Sequence, residues 1–289
     1  MTTVAGPLGM LDPRLADHTG HLARLVAVRA EACLQASLPA GRGLRDLAVL
    51  AVLAESPSSQ AQLGTLLHVN RTVMISVIDG IEAAGLVRRE RDPADRRRYA
   101  LRITEEGTAA LPELNAAATR ADRSLTAPLH HEQHRRLIGL LRRVVPGEAQ
   151  ALPGTLTSLA VFLIGQVSQQ LRARSERALR GRGIKPRCVR MLVALDAAQP
   201  CTQERLARAM SLAPPTIVSA LDELRADGLM LSARNPDDRR EHVLRLSEDG
   251  KHYLADALLA ERAAQHQLAE MLGTGETGEL NALLTALLR

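Results

Sequence analysis

The stretch DPADRRRYALRITEEG, residues 92–107, returns as NPDDRREHVLRLSEDG, residues 235–250, an offset of 143 positions (235 − 92). Each version opens on a turn signal, continues through arginines into an alternating apolar segment, and ends on a hydroxyl residue followed three positions later by glycine. Asp, Pro and Asp between two short alternating segments predict a β-hairpin with an arginine-rich tip. Thr104 and Ser247, each ahead of two acidic residues, predict the capped start of a helix with its carboxylates at the favourable end of the helix dipole. The chain therefore carries a basic hairpin leading into a helix, twice.

The match extends outward without a gap. EAAGLVRRERDPADRRRYALRITEEG (82–107) lies over RADGLMLSARNPDDRREHVLRLSEDG (225–250), and upstream Pro57, Gln60 and Leu63 lie over Pro200, Gln203 and Leu206. A duplicated domain is the economical reading. With 289 residues, 46% of them hydrophobic, each half can bury a core of its own. The breakers in VVPGEAQALPG (144–154) place a linker between the copies, dividing the chain into 1–146, a linker at 147–154, and 155–289.

Within copy one the pattern predicts an amphipathic helix from about Asp12 to Ser37 and a second over Leu44–Glu55. Ser59 and Gln62 have capping-box spacing ahead of a short third helix. His68, Val69 and Asn70 form a turn, and a fourth helix runs from Arg71 to the terminator Gly85. Two helices joined by so short a turn make a helix-turn-helix. Met74, Val77, Ile78 and Ile81 face inward, matched in copy two by Ile217, Ala220, Leu221 and Leu224. Arg71, Thr72, Ile75 and Ser76 then face outward, against Pro214, Pro215, Thr216 and Ser219. After the hairpin, Leu111, Leu114, Ala118, Ala121 and Leu125 form a seam that needs a partner helix. Closing helices are expected over Glu132–Val145 and Glu279–Leu288. The fold class is mainly α with small β-hairpin wings: two winged helix-turn-helix domains plus a helical dimerisation-type region.

Composition narrows the function. The formal charge of +5 favours a polyanionic partner, and apart from Lys185 and Lys251 the basic residues are Arg, the side chain suited to bidentate phosphate and guanine contacts. Phe162, Tyr99 and Tyr253 are the only aromatics, which leaves no stacking platform for single strands. No apolar run long enough to span a membrane and no leader are present, so a cytoplasmic protein is expected. Cys33, Cys188 and Cys201 have no CxxC spacing, and Cys33 falls on the apolar face of Leu22, Val26 and Ala30, which makes it a small core residue. HHEQH (130–134) contains an i,i+4 His pair but reads as a polar helix start, and no metal or cofactor is expected. No phosphate loop, nucleophile elbow or paired-carboxylate motif is present, so the chain is not read as an enzyme.

The order helix-turn-helix, Gly-Leu-Val, DxR hairpin, then Thr-x-x-Gly opening a long helix resembles the multiple-antibiotic-resistance regulator (MarR) family of winged-helix transcription factors. The spacing from LGTLLHVNRTVM through GLVRRERDPADRR to LRITEEG carries the resemblance. It implies a repressor whose terminal helices form the dimer, whose fourth helix enters the major groove, and whose wing Arg enters the minor groove. It also implies release of DNA by a small hydrophobic or phenolic effector bound where the dimerisation helices meet the winged helix. The family's Asp-x-Arg falls on Asp95 with Arg97 and on Asp238 with Arg240, Arg96 and Arg239 beside them being suited to phosphate. DNA contacts are thus expected from Arg71, Thr72, Ser76, Asp95, Arg96 and Arg97, and from Thr216, Ser219, Asp238, Arg239 and Arg240. One fused chain would supply both readers of a two-half-site operator as a monomeric pseudo-dimer. The alternative is a degenerate relative that binds another protein or a ligand but not DNA.

Overall fold

The computed structural model describes residues 18–91, 99–145, 151–210, 214–234 and 242–289. These form two compact units, one of Thr19–Gln170 with Ala269–Arg289, the other of Leu171–Leu268. The 143-residue repeat and the packing units divide the chain differently, because the first stretch of one helix and all of another, both from the second sequence copy, pack with the first copy. Among the described residues no helix is long and apolar enough to cross a membrane.

The larger unit begins with α1 (Thr19–Ser37), α2 (Leu44–Glu55), α3 (Gln60–Leu66) and α4 (Arg71–Ala83), followed by the hairpin β1 (Val87–Arg91) and β2 (Tyr99–Ile103). Then come α5 (Glu105–Thr126), α6 (His131–Val144), the short turn α7 (Gly154–Thr157) and the start of α8 (Ala160–Gly181). In the other unit the rest of α8 leads to α9 (Pro186–Ala198), β3 (Cys201–Thr202), α10 (Gln203–Met210), α11 (Pro214–Ala226), β4 (Met230–Arg234), β5 (His242–Leu246) and α12 (Glu248–Leu272). The last helix, α13 (Thr274–Ala286), returns to the larger unit.

α2 is the core helix. Every residue from Leu47 to Leu53 is buried, so it has no polar face, and its start is held by Asp46, whose carboxylate accepts the Gly43 N–H. α5 packs on α1 and α2, and four residues of the expected seam, Leu114, Ala118, Ala121 and Leu125, are buried together with Ala117, while Leu111 is only half-buried. On α1 the buried face continues from Ala30 to Leu34. Cys33 is turned half out, its thiol near Ser124, so it is not the core residue that its spacing suggests.

The Thr-x-x-Gly and Ser-x-x-Gly signatures have one physical cause. Thr104 Oγ1 accepts the Gly107 N–H and donates to the Gly85 carbonyl, and Ser247 does the same with Gly250 and Gly228. One hydroxyl thus caps the long helix and ties it to the end of α4 or α11. A Cβ at Gly107 would run into the backbone carbonyl of Leu86, and one at Gly250 into that of Leu229. Each helix start passes too close to its wing strand for any side chain.

The two wings differ. β1 and β2 form a two-stranded sheet with only an isolated bridge from Ser58 to Leu101, whereas in copy two Cys201 and Thr202 make a third strand, in the order β3-β5-β4. α13 starts at Thr274, five residues before the expected Glu279, because Gly273 takes a positive φ of 93° and turns the chain into the helix there. Pro146–Gln150 of the expected linker region lie outside the described residues. Leu152 near its end is buried, and α7, which begins at Gly154, packs on α2.

α13 packs on both α1 and α6. Thr19 Oγ1 donates to Asn281 Oδ1 at 2.6 Å, and the leucines Leu137, Leu140 and Leu141 of α6 and Leu280 and Leu284 of α13 are buried. Around them, Arg136 bonds both oxygens of Glu279 and also Glu276, while Arg143 reaches Glu276 at 2.6 Å. Arg136 and Glu279 stand at the same position of the repeat (279 − 136 = 143).

Candidate nucleic-acid interface

Side-chain caps fix where α3 and α4 begin. Ser59 and Gln62 form the reciprocal capping box, and Asn70 Oδ1 accepts the Val73 N–H. Between them His68 adopts φ 52°, and Val69 N–H closes back on the Gly64 carbonyl at 2.9 Å. Met74, Ile78 and Ile81 face the core, which leaves Arg71, Thr72, Ile75 and Ser76 exposed on the opposite side of α4. No ion pair engages Arg71 among the described residues. The outward set expected from periodicity is thus the set on the surface.

The wing base is clipped to this helix. Arg89 on β1 reaches Asp79 at 2.8 Å and Glu82 at 3.1 Å on α4, and Glu90 bridges Arg88 and Arg102 across the hairpin. Exposed pairs of this kind add little stability. They do limit how the hairpin swings against α4. The tips, with Asp95, Arg96, Arg97, Asp238, Arg239 and Arg240, lie outside the described residues.

Copy two presents a poorer face. Ile217, Leu221 and Leu224 are buried and Thr216 and Ser219 exposed, as expected. Ser232 stands where copy one has Arg89, Asp222 pairs within its own helix with Arg225, and Leu231 is 59% exposed where copy one has Arg88. In return α10 exposes Arg205 and Arg208 in place of Gln62 and Thr65. Both lie on α10, outside the helix whose outward face the periodicity marks.

A cavity of about 600 Å³ opens behind α4, between α1, α2 and the start of α8. Leu34, Ala48, Val49, Met74, Val77 and Phe162 give it apolar walls, and Glu31, Gln166, Ser168 and Gln169 add polar ones. Arg42, Arg45 and Asp46 add charge, and burial pushes the Asp46 carboxyl above its ordinary range despite the Gly43 N–H and the two guanidinium groups. Neither arginine makes an ion pair among the described residues. At the repeat-equivalent place in copy two, Lys185, which matches Arg42, lies 2.6 Å from Asp227, Cys188 stands in place of Arg45, and Arg187, which matches Leu44, pairs with Glu223. Glu223 and Asp227 match Gly80 and Ala84, which offer no carboxylate. The pairing raises the Lys185 ammonium and lowers the Glu223 carboxyl.

His130 Nδ1 accepts the Gln133 N–H as a helix cap, and His134 turns inward to lie 3.5 Å from the buried Asp122. The helix start is therefore less solvent-facing than HHEQH suggests. Among the described residues, Cys188, Glu223 and Asp227 are the one grouping with metal-ligand proximity, and Arg187 and Lys185 already hold its carboxylates.

Two separate MarR family models match, one over residues 41–98 and the other over 185–242. The chain belongs to the MarR family. A transcriptional regulatory protein for the hcr operon of Thauera aromatica is 37% identical over 97 residues, 33% of this chain and 58% of that protein. The HTH-type transcriptional repressor NicR of Pseudomonas putida is 26% identical over 152 residues, 52% of this chain and 96% of NicR. The crystal structure of a transcriptional regulator from Pseudomonas aeruginosa is 31% identical, with a TM-score of 0.42, covering 44% of this chain and 96% of that one. Each relative corresponds to roughly half of this tandem MarR chain or less.

Proposed function

We propose that this tandem MarR protein is a DNA-binding transcriptional regulator, acting as a repressor, whose single chain supplies both readers of a two-half-site operator. The observation that carries the reading is the pair of recognition helices, each with its apolar side buried and a polar side uncovered. α4 and α11 would enter adjacent major grooves, with Arg71, Thr72 and Ser76 or Thr216 and Ser219 toward the bases. Asp95, Arg96 and Arg97, and Asp238, Arg239 and Arg240, would sit on the flanking phosphates and minor groove.

The pseudo-dimer is supported by the packing of α13 from copy two on α1 and α6 from copy one. In a twofold interface, a residue on the axis meets its own counterpart. Arg136 meets its repeat counterpart Glu279.

The effector site is the cavity behind α4. A ligand there touches the helix that carries Arg71, and Arg42 and Arg45, which make no ion pair among the described residues, would favour an apolar molecule with an anionic end.

A mobility-shift titration with the DNA upstream of the chain's own gene tests the reading. Binding is expected at low salt, weakening by orders of magnitude between about 50 and 200 mM if roughly six or more phosphates are neutralised. No shift at low salt would mean a MarR-like module that binds a protein or ligand instead.

A further inference from the structure

Each recognition helix turns one aliphatic residue outward, and the two stand at the same position of the repeat. Ile75 on α4 is 39% exposed and Val218 on α11 is 42% exposed (218 − 75 = 143). Of the seven exposed large hydrophobic residues among those described, no other two share a repeat position. The surrounding faces have diverged, with Arg71 and Thr72 of α4 matched by Pro214 and Pro215 of α11. What the two faces keep is the aliphatic residue and the serine after it, Ser76 or Ser219. Met74, Ile78 and Ile81 hold the buried side of α4 and the wing residue Arg89 occupies Asp79, so Ile75 lies in the open stretch between the Asn70 cap and that clip. On α11, Ile217 and Leu221 are buried and Asp222 pairs with Arg225, which frames Val218 in the same way.

In the major groove thymine alone presents a methyl group, at C5, while the other base edges present hydrogen-bond donors and acceptors. A β-branched aliphatic side chain has little rotamer freedom to lose and no hydrogen bond to offer. Against thymine it buries a methyl, and against any other edge it takes water from a polar group and returns nothing. We propose that Ile75 and Val218 are specificity-determining residues, each seating the C5-methyl of a thymine in its own half-site. This rests on the reading of the chain as a DNA-binding regulator with both helices in major grooves. It adds a base that the two half-sites have in common, although Arg71 has no counterpart in copy two.

The test uses the full-length chain and the DNA upstream of its gene, prepared with sparse deoxyuridine in place of thymidine, which removes the methyl and keeps the base pair. Bound and free fragments are separated by gel retardation and cut at uracil, so a thymine whose methyl is needed is depleted from the bound fraction. Wild type should show such a thymine in each half-site, its loss weakening binding roughly three- to tenfold. Ile75→Ala should erase the depletion in one half-site only, and Val218→Ala in the other. Ile75→Val and Val218→Ile keep an aliphatic surface and should keep both. On a fragment made wholly with deoxyuridine, wild type and the double alanine variant should bind alike, which a mere loss of helix stability would not give. A shifted fragment with no depleted thymine, depletion that survives the double alanine variant, or a double variant equally impaired on both kinds of DNA overturns this inference and leaves the regulator standing. No shift of the thymidine fragment at low salt overturns both.

Discussion

Gly107 and Gly250 have no room for the methyl group that alanine would add. At both, a Cβ meets the carbonyl of the residue just before a wing strand, Leu86 or Leu229, and backbone on both sides cannot yield cheaply. Gly107→Ala should therefore destabilise the chain by roughly 1–3 kcal/mol or more. Gly139, exposed inside α6 with nothing near its Cβ, should behave oppositely, with Ala stabilising by about 0.5–1 kcal/mol. Urea denaturation of the two variants checks the sign, and a shared sign would refute the argument. Asp122 gives a pH test. Burial raises its carboxyl above the ordinary value, opposed by the Val161 N–H it accepts at 2.9 Å and by His134. A carboxyl raised on folding contributes stability below its unfolded value, near 4, and loses that contribution as pH rises through the folded value. Asp122→Asn keeps an acceptor for Val161 and removes the buried charge. It should melt at or above wild type at pH 7, with the gap closing toward pH 4. Asp122→Ala strands that N–H and should lose about 1–3 kcal/mol throughout.

The recognition helices carry the clearest functional asymmetry. α4 opens on exposed Arg71 and Thr72 and α11 on Pro214 and Pro215, so the guanidinium that could grip a guanine or a phosphate exists in one copy only. Arg71→Ala should weaken DNA binding by roughly 1–3 kcal/mol and relax base preference in one half-site, leaving the other unchanged. Footprints on operators with each half-site scrambled in turn would show it, and equal losses on both sides would sink it. Helix α4 was legible in the sequence because apolar periodicity and the caps Asn70 and Gly85 agree with one another. β3 was not, since two residues carry no period and Cys201 becomes a strand only by pairing with Leu244, far along the chain. The cavity escaped for a similar reason. Its walls come from α1, α2 and α4 of one copy and α8 of the other, and nothing local about Phe162 or Gln166 marks them as neighbours of Met74.

For the molecule as a whole, the pairing of α6 with α13 decides what the chain assembles with. Their leucines match across the repeat, but the charges do not: α6 carries Arg136 and Arg143 where α13 carries Glu279 and Ala286. Two first copies brought together by the same twofold would set Arg136 against Arg136, and two second copies Glu279 against Glu279. Both pairings are like-charged, so half one selects half two. That complement could come from the same chain or from a second one. A short covalent connection holds the partner at an effective concentration in the millimolar range, which a second chain at micromolar concentration does not match. Light scattering should therefore give the mass of one chain across the micromolar range. Arg136→Glu would face Glu276 and Glu279 with a third carboxylate and should lower the melting temperature. Adding Glu279→Arg should recover part of the loss, because the pair is restored in reverse, whereas Glu279→Arg alone should also destabilise by facing Arg136. Additive losses in the double variant, or a dimer of chains that survives dilution, would remove the charge pairing as the basis of a one-chain pseudo-dimer and favour two chains sharing four winged helices.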